Sequence, residues 1–72
     1  MPYATNEDLP LPIRRHLPAQ AQDIFREAFN SAWQRYATRD LERREETAHR
    51  VAWAAVKKRY RKIGDVWLPY SR

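Results

Sequence analysis

The sequence has no cysteine and only one glycine among its 72 residues. The absence of cysteine excludes disulfide bonds, thiolate metal sites and cysteine nucleophiles, and it fits the reducing cytoplasm in which we expect the protein to work. A single glycine leaves no glycine-rich loop to hold a phosphate group. The longest apolar run, residues 51–56, is much shorter than the roughly 20 residues of a membrane-spanning helix. We therefore expect a soluble, cytoplasmic protein that does not span a membrane.

Aromatic residues are plentiful in this short chain, with three Trp, four Tyr and two Phe. A chain of this length lies near the lower limit for folding without disulfides or metals. Aromatic rings bury much apolar area per residue, so a core can be built from few of them. We expect a single domain over residues 1–72 in which these rings form the core rather than a ligand pocket.

Prolines divide the first part of the chain into two predicted helices. Because proline is tolerated mainly in the first turn of a helix, Pro10 begins a short helix that ends at about His16, and Pro18 begins the second. The second helix extends to about Ala37, since apolar residues recur at helical spacing along it. Its apolar stripe consists of Ala21, Ile24, Phe25, Ala28, Phe29, Ala32 and Tyr36, with Trp33 at the edge.

The third predicted helix has acidic residues at its start and basic residues at its end, an order that the helix dipole favours. We expect it to begin at Glu42 or Arg44 and to end at about Lys62, with Gly64 as a left-handed cap. Its apolar stripe consists of Ala48, Val51, Ala52, Ala55, Val56 and Ile63.

The residues after Gly64 are too few for another helix, and we expect an extended tail that pairs with the N-terminal segment near Tyr3. The predicted fold is mainly α. It has one short and two long helices, the long pair antiparallel, and a small two-stranded sheet made from the termini.

The net charge of +5 is concentrated at the end of the chain. From residue 57 onward there are six basic residues and one acid, so this segment carries the whole excess. Such a surface can attract an acidic protein face, a membrane surface or a nucleic acid, or it can be a solvated helix end. We predict that the partner-binding residues are Arg50, Trp53, Lys57, Lys58, Arg61 and Lys62.

Metal binding and catalysis receive little support from the sequence. Glu46 and His49 have the Glu-x-x-His spacing of di-metal helical bundles, but the acids of the second helix point away, so a dipole-favoured acidic turn is the simpler interpretation. His16 has no evident catalytic or metal partner. No pair of carboxylates is expected to converge in a cleft. We predict no metal, no cofactor and no enzymatic activity.

Several segments together resemble the ChaB family. They are residues 1–3, the pairs Leu9-Pro10 and Leu17-Pro18, residues 21–25 and 27–33, and above all residues 44–57. The resemblance covers about residues 1–62. It implies a compact helical fold of three helices with small strand segments, likened to the cyclin box. It also implies a role as regulator of a calcium or sodium/proton antiporter, with no catalytic residues or cofactor to carry over. The connector before Arg44 is shorter and less acidic than in the best-known members, and the tail from Ile63 follows no family pattern that we can place.

The function that we predict is a non-catalytic, cytoplasmic, bacterial-type interaction protein. In this interpretation the basic end of the third helix docks on an acidic protein surface, such as the cytoplasmic face of an antiporter. The alternative is a small nucleic-acid-associated protein that uses the same surface. A homodimer that covers its aromatic edge is a third possibility, and the sequence leaves the oligomeric state open.

Overall fold

The computed structural model describes residues 3–38 and 40–70, and within them the chain is mainly helical with a small antiparallel sheet, as the sequence predicts. A short 3₁₀ turn precedes the first helix. In chain order the elements are the turn Asn6–Asp8, α1 Leu11–His16, α2 Ala19–Arg35, α3 Leu41–Arg59, β1 Tyr60–Ile63 and β2 Val66–Pro69.

Helices α2 and α3 pack against each other in antiparallel fashion. The end of α2 lies beside the start of α3, where Arg44 contacts Trp33, and the start of α2 lies beside the end of α3, where Gln20 contacts Tyr60. Small side chains on both helices allow this close approach, since alanines leave room for the neighbouring backbone. The buried core consists of Leu9, Ile13, Leu17, Ala21, Phe25, Phe29, Ala32, Trp33, Ala48, Ala52, Val56, Tyr60 and Trp67.

Trp33 lies deeper than its predicted position at the edge of the stripe. Only 8% of its surface is exposed, because the Arg44 guanidinium covers the ring at 4.1 Å from its centroid. The Arg44 Nε also donates a hydrogen bond of 2.7 Å to the Trp33 carbonyl oxygen. One arginine thus caps the end of α2 and stacks on an aromatic ring, as a planar cation can.

The segment before α2 is attached to that helix by side-chain amides. Gln22 donates from its Nε2 to the carbonyl oxygens of Arg14 and Leu17, at 3.2 Å and 2.8 Å. These are carbonyls at the end of α1 that the helix itself leaves unpaired. The amide of Asn30 donates to the Tyr3 carbonyl and accepts from the Tyr3 N–H, both at 2.8 Å. Short α1 and the extended N-terminal segment are thereby held on α2.

Helix α3 begins and ends at earlier residues than the sequence predicts. It begins at Leu41, because the Asp40 carboxylate accepts a hydrogen bond from the Arg43 N–H and so caps the helix. It ends at Arg59, and Tyr60 already has extended backbone dihedrals. The prediction that the helix continues to Lys62 is therefore wrong. Ile63 lies on a strand and is 49% exposed instead of completing the apolar stripe.

Both strands of the sheet come from the C-terminal segment, so the predicted pairing of the two termini is wrong. Strands β1 and β2 form a hairpin in which Lys62 is opposite Trp67 and Ile63 is opposite Val66. Gly64 has a φ of +62° and occupies the turn instead of capping α3. A glycine at the first position of a two-residue loop is the arrangement that two-residue hairpins favour.

Candidate functional site

The six predicted partner-binding residues lie around the end of α3 and the hairpin, but they do not form one surface. Trp53 and Lys57 are one helical turn apart on α3, and Lys62 reaches the same side from β1, since all three line one groove. Lys58 faces a different groove. Arg61 alternates with Lys62 along β1 and so lies on the opposite face of the hairpin. Arg50 is further back along α3.

The first groove, which we call the indole groove, has an apolar floor and a basic rim. It encloses about 480 Å³. Trp53 and Trp67 lie 5.5 Å apart between ring centroids with an angle of 30° between their planes, so the two indoles form a stacked pair. The groove is lined by Pro12, Ile13, His16, Trp53, Lys57, Lys62 and Trp67.

Trp53 is packed more tightly than a free stacking platform would be. It is partly buried, with Phe25 edge-on at 5.1 Å in addition to the stacked Trp67. These contacts join α3 to both α2 and the hairpin. Trp53 is therefore half covered by its neighbours.

The charges of the groove are not neutralised by acids of the part of the chain that the structure describes. Within residues 3–38 and 40–70 the ion pairs are Arg26 with Asp23 at 3.6 Å and Arg50 with Glu46 at 3.5 Å. Neither pair includes Lys57 or Lys62, and both lysines are exposed. Arg50 differs from the other predicted site residues, because an acid one helical turn away partly offsets its charge.

His16 belongs to the groove, although the sequence offered no role for it. Its Nδ1–H donates a hydrogen bond of 2.7 Å to the carbonyl oxygen of Pro12, one turn earlier in α1. This bond fixes the ring orientation at the groove edge.

A second groove lies on the other side of α3, beside the edge of the hairpin. It encloses about 560 Å³ and contains Lys58 and Arg59 together with Tyr70. The Arg61 guanidinium lies 5.9 Å from the centroid of the Tyr70 ring, within the range of a cation–π contact. The structure thus distributes the basic residues over two sides of the hairpin.

The proposed Glu-x-x-His pair does not converge. His49 is partly buried with its ring edge-on to Phe25 and Phe29, at 5.8 Å and 5.2 Å, whereas Glu46 is exposed and paired with Arg50. Among the residues with described positions, no group of three or more His, Asp or Glu side chains could hold a metal ion.

Trp67 is the site residue that the sequence reasoning missed. The segment after Gly64 was expected to be an extended tail that pairs with the N-terminal segment, yet Trp67 is only 7% exposed and supplies half of the groove floor. The signal was present in the sequence. Gly64-Asp65 separates two four-residue segments that favour strands, and such a glycine-led pair predicts a hairpin.

In the described ranges, no helix has both the length and the apolar character that crossing a bilayer requires.

Comparison with known proteins gives one family. The ChaB family profile matches residues 9–70, so the family pattern includes the hairpin that the resemblance alone had left outside. The chain is 55% identical over 69 residues to proteins of Escherichia coli K12 and of Shigella flexneri, each named "Putative cation transport regulator ChaB". Those alignments cover 90% of this chain and 91% of each relative. A solved structure described as the "NMR solution structure of the putative cation transport regulator ChaB" has 53% identity and a TM-score of 0.87, and the match covers 97% of this chain and 100% of that chain. With a family match over most of its length and relatives above half identity, this chain belongs to the ChaB family.

Proposed function

We propose that the protein is a non-catalytic regulator of cation transport that binds an acidic segment of a transport protein through the indole groove. Membership of a family whose curated relatives are named for cation transport regulation supports the regulatory role in general. The finer proposal, an antiporter partner and a basic contact surface, rests on the groove.

The observation that carries the proposal is a pair of exposed lysines beside a two-indole floor, neither of them in an ion pair with an acid of residues 3–38 and 40–70. Lys57 and Lys62 reach the groove from a helix and a strand, and the stacked rings of Trp53 and Trp67 line the same groove. Such a site fits a segment that has an apolar side chain flanked by aspartate or glutamate. Apolar contact with the indoles would supply most of the affinity, since exposed ion pairs contribute only about 0–1 kcal/mol each. The lysines would mainly select acidic partners and speed the encounter.

Binding alone is not regulation. A bound protein changes the rate of transport only if it binds the conformations of the transporter with different affinities, because only a differential affinity shifts their populations. The proposal therefore predicts an effect on transport activity and not merely an association.

The test uses everted membrane vesicles of Escherichia coli, in which calcium/proton or sodium/proton antiport is followed as the collapse of an imposed proton gradient. Added wild-type protein should change the rate of antiport. The double variant Lys57→Glu, Lys62→Glu should lose this effect, because both rim charges then repel an acidic segment.

The matched control is Arg15→Glu, Arg43→Glu, which makes the same change of net charge at exposed positions outside the groove. It should act like the wild type. Thermal unfolding checks that both variants are folded, since a glutamate at position 57 lies unfavourably in the last turn of α3. No effect of the wild type on either antiport, or an equal effect of the two double variants, contradicts the proposal.

The nucleic-acid alternative predicts a different result. Contact with phosphates would shift DNA or RNA in a gel with an affinity that falls steeply with salt. The Trp67 ring already stacks on Trp53, which leaves less of the Trp53 ring exposed for stacking with a base. A shift that persists at physiological salt, together with no effect on antiport, would favour the alternative.

A further inference from the structure

The side of the hairpin that faces away from the core carries four exposed apolar residues. We call Ile63, Val66, Leu68 and Tyr70 the outer hairpin face. Ile63 lies opposite Val66 in the strand register, and Arg61 lies opposite Leu68. The exposed fractions of the four apolar residues are 49%, 53%, 43% and 53%. Because side chains alternate along a strand, the other side of the hairpin holds the buried Tyr60 and Trp67.

Of the six large apolar side chains that are exposed in the described residues, these four lie together on one face of the hairpin. None of the four side chains belongs to the buried core, although they are contiguous in the register. Scattered apolar residues on a surface need no explanation, but a contiguous group marks a surface that contacts something else.

Cations surround the outer hairpin face. Arg61 lies within it and contacts the Tyr70 ring, while Lys58 and Arg59 line the groove that Tyr70 closes. None of these three takes part in the ion pairs of the described residues. Asp23, which pairs with Arg26, lines the same groove, and Asp65 lies in the turn at the tip. Glu27 lines a further groove with Lys58 and Arg59, so Arg61 is the cation of the face itself.

Aliphatic side chains, a tyrosine and a surrounding set of cations together match the surface of an anionic bilayer. Aliphatic groups can enter the boundary of the acyl chains, tyrosine prefers the headgroup level, and lysine and arginine attract anionic headgroups. A protein partner would need an apolar hollow shaped for this protrusion, whereas a bilayer accepts an apolar protrusion of any shape.

We propose that the outer hairpin face binds reversibly to membranes that contain anionic lipids. This inference goes beyond the proposed function, because the face is on the opposite side of the hairpin from the indole groove and its ligand is lipid.

The test is co-sedimentation of the protein with vesicles of pure phosphatidylcholine and with vesicles of equal parts phosphatidylcholine and phosphatidylglycerol. Wild-type protein should bind the second kind and not the first. Leu68→Gln should weaken the binding about tenfold, as expected when one partly inserted leucine is lost.

Leu41→Gln is the matched control, since Leu41 is 69% exposed at the far end of α3 and the substitution is the same. It should bind like the wild type.

Arg61→Gln should weaken the binding about fivefold and reduce its dependence on salt. Val66→Thr keeps a β-branched residue in the strand and gives a second test that does not depend on tolerance of glutamine in a strand. Chemical shifts of the buried Trp67 report whether the hairpin is intact in each variant.

No binding of the wild type to anionic vesicles overturns the proposal, and so does equal binding by the Leu68 and Leu41 variants. If variants of the outer hairpin face abolish the effect on antiport while the wild type does not bind vesicles, the face is a protein contact and the lipid proposal is wrong. Vesicles of purified lipid contain no transporter, so failure there leaves the proposed function standing.

Discussion

At the scale of single residues, the side chain of Asn30 pairs with the backbone of the N-terminal segment as a neighbouring strand would. Its amide makes both hydrogen bonds to the Tyr3 backbone that a residue of a neighbouring strand would make. The Tyr3 ring then lies 4.8 Å from the ring of Phe29, so the anchor also brings an aromatic ring against the core. Asn30 lies outside the apolar stripe of α2, and spacing along one helix cannot reveal another segment that lies across it.

Replacing Asn30 by alanine should destabilise the protein by about 1–3 kcal/mol, since two hydrogen bonds to the backbone are lost. Urea denaturation followed by circular dichroism measures the change. Gln34→Ala is the control, because it removes an exposed amide one turn further along α2. Equal stabilities of the two variants would show that the anchor contributes nothing.

The phenol of Tyr3 should make the stability of the protein depend on pH. Burial, and to a smaller extent the negative charge of Glu45, raises the pKa of its phenol above the ordinary value of 10.0. The folded state therefore favours the neutral phenol. This contribution to stability is complete below the unfolded pKa and is lost as the pH rises through the higher folded pKa.

Tyr3→Phe should remove the loss of stability at high pH, because phenylalanine has no phenol to ionise. The difference in unfolding free energy between wild type and variant should therefore change only above about pH 10. Urea titrations over a series of pH values measure this difference. Glu45→Gln should reduce the shift without removing it, since burial remains. A difference that does not depend on pH would contradict the assignment.

At the scale of elements, helices were predictable because their information is local. The apolar stripe of α2 and the order of charges along α3 each lie within one segment, so the bounds of α1 and α2 were nearly correct. The end of α3 was not, because Lys57 and Arg61 are both acceptable in a basic helix end. The hairpin beyond it has a local signal in the turn pair Gly64-Asp65, but the cover for Trp67 comes from other parts of the fold.

The residues of the candidate site also divide into those that the sequence could predict and those that it could not. Trp53 and Lys57 could be placed on one face by helical spacing, but the addition of Lys62 and Trp67 requires the register of the hairpin. The separation of Arg61 from Lys62 follows from strand alternation. Because residues 60–62 were expected to continue α3, the predicted set combined residues that the structure places on opposite faces of the hairpin.

Gly64→Ala should disrupt the hairpin, because an L-residue is disfavoured at its φ of +62°. Beyond Gly64 and its two chain neighbours, no atom of the described residues lies within 4 Å of the position that a Cβ would take, so the effect comes from the backbone alone. The expected cost is about 1–2 kcal/mol.

The chain is short enough for chemical synthesis, and D-alanine at position 64 is the matched control, since it adds the same methyl group but favours positive φ. Chemical shifts of Trp67 measure the hairpin, and equal disruption by the two isomers would exclude a role for the backbone conformation.

At the scale of the whole molecule, the charge is strongly uneven. The segment from residue 57 carries the entire net charge of +5, while the remainder sums to zero. Lysines and arginines in the last turn of α3 benefit from the helix dipole, whereas Lys62 lies on a strand without that compensation and shares a groove with Lys57. Folding therefore concentrates like charges at one end of the molecule.

Lys62→Gln should raise the melting temperature at low ionic strength, because it relieves this repulsion, and the gain should vanish above about 0.5 M salt as screening increases. Calorimetry at several salt concentrations measures both effects. Arg50→Gln is the contrasting variant, since it breaks an ion pair with Glu46 and should lower stability slightly. A gain for Lys62→Gln that is independent of salt would show that repulsion is not its cause.

The stacked indoles of Trp53 and Trp67 also give the molecule an internal optical reporter. Two such chromophores with centroids 5.5 Å apart should couple their electronic transitions, so we expect a couplet in the far-ultraviolet circular dichroism in addition to the helical bands. Local opening of the hairpin, or the insertion of a side chain between the rings, should abolish the couplet while the helical bands remain. Occupation of this interface can therefore be followed without a label.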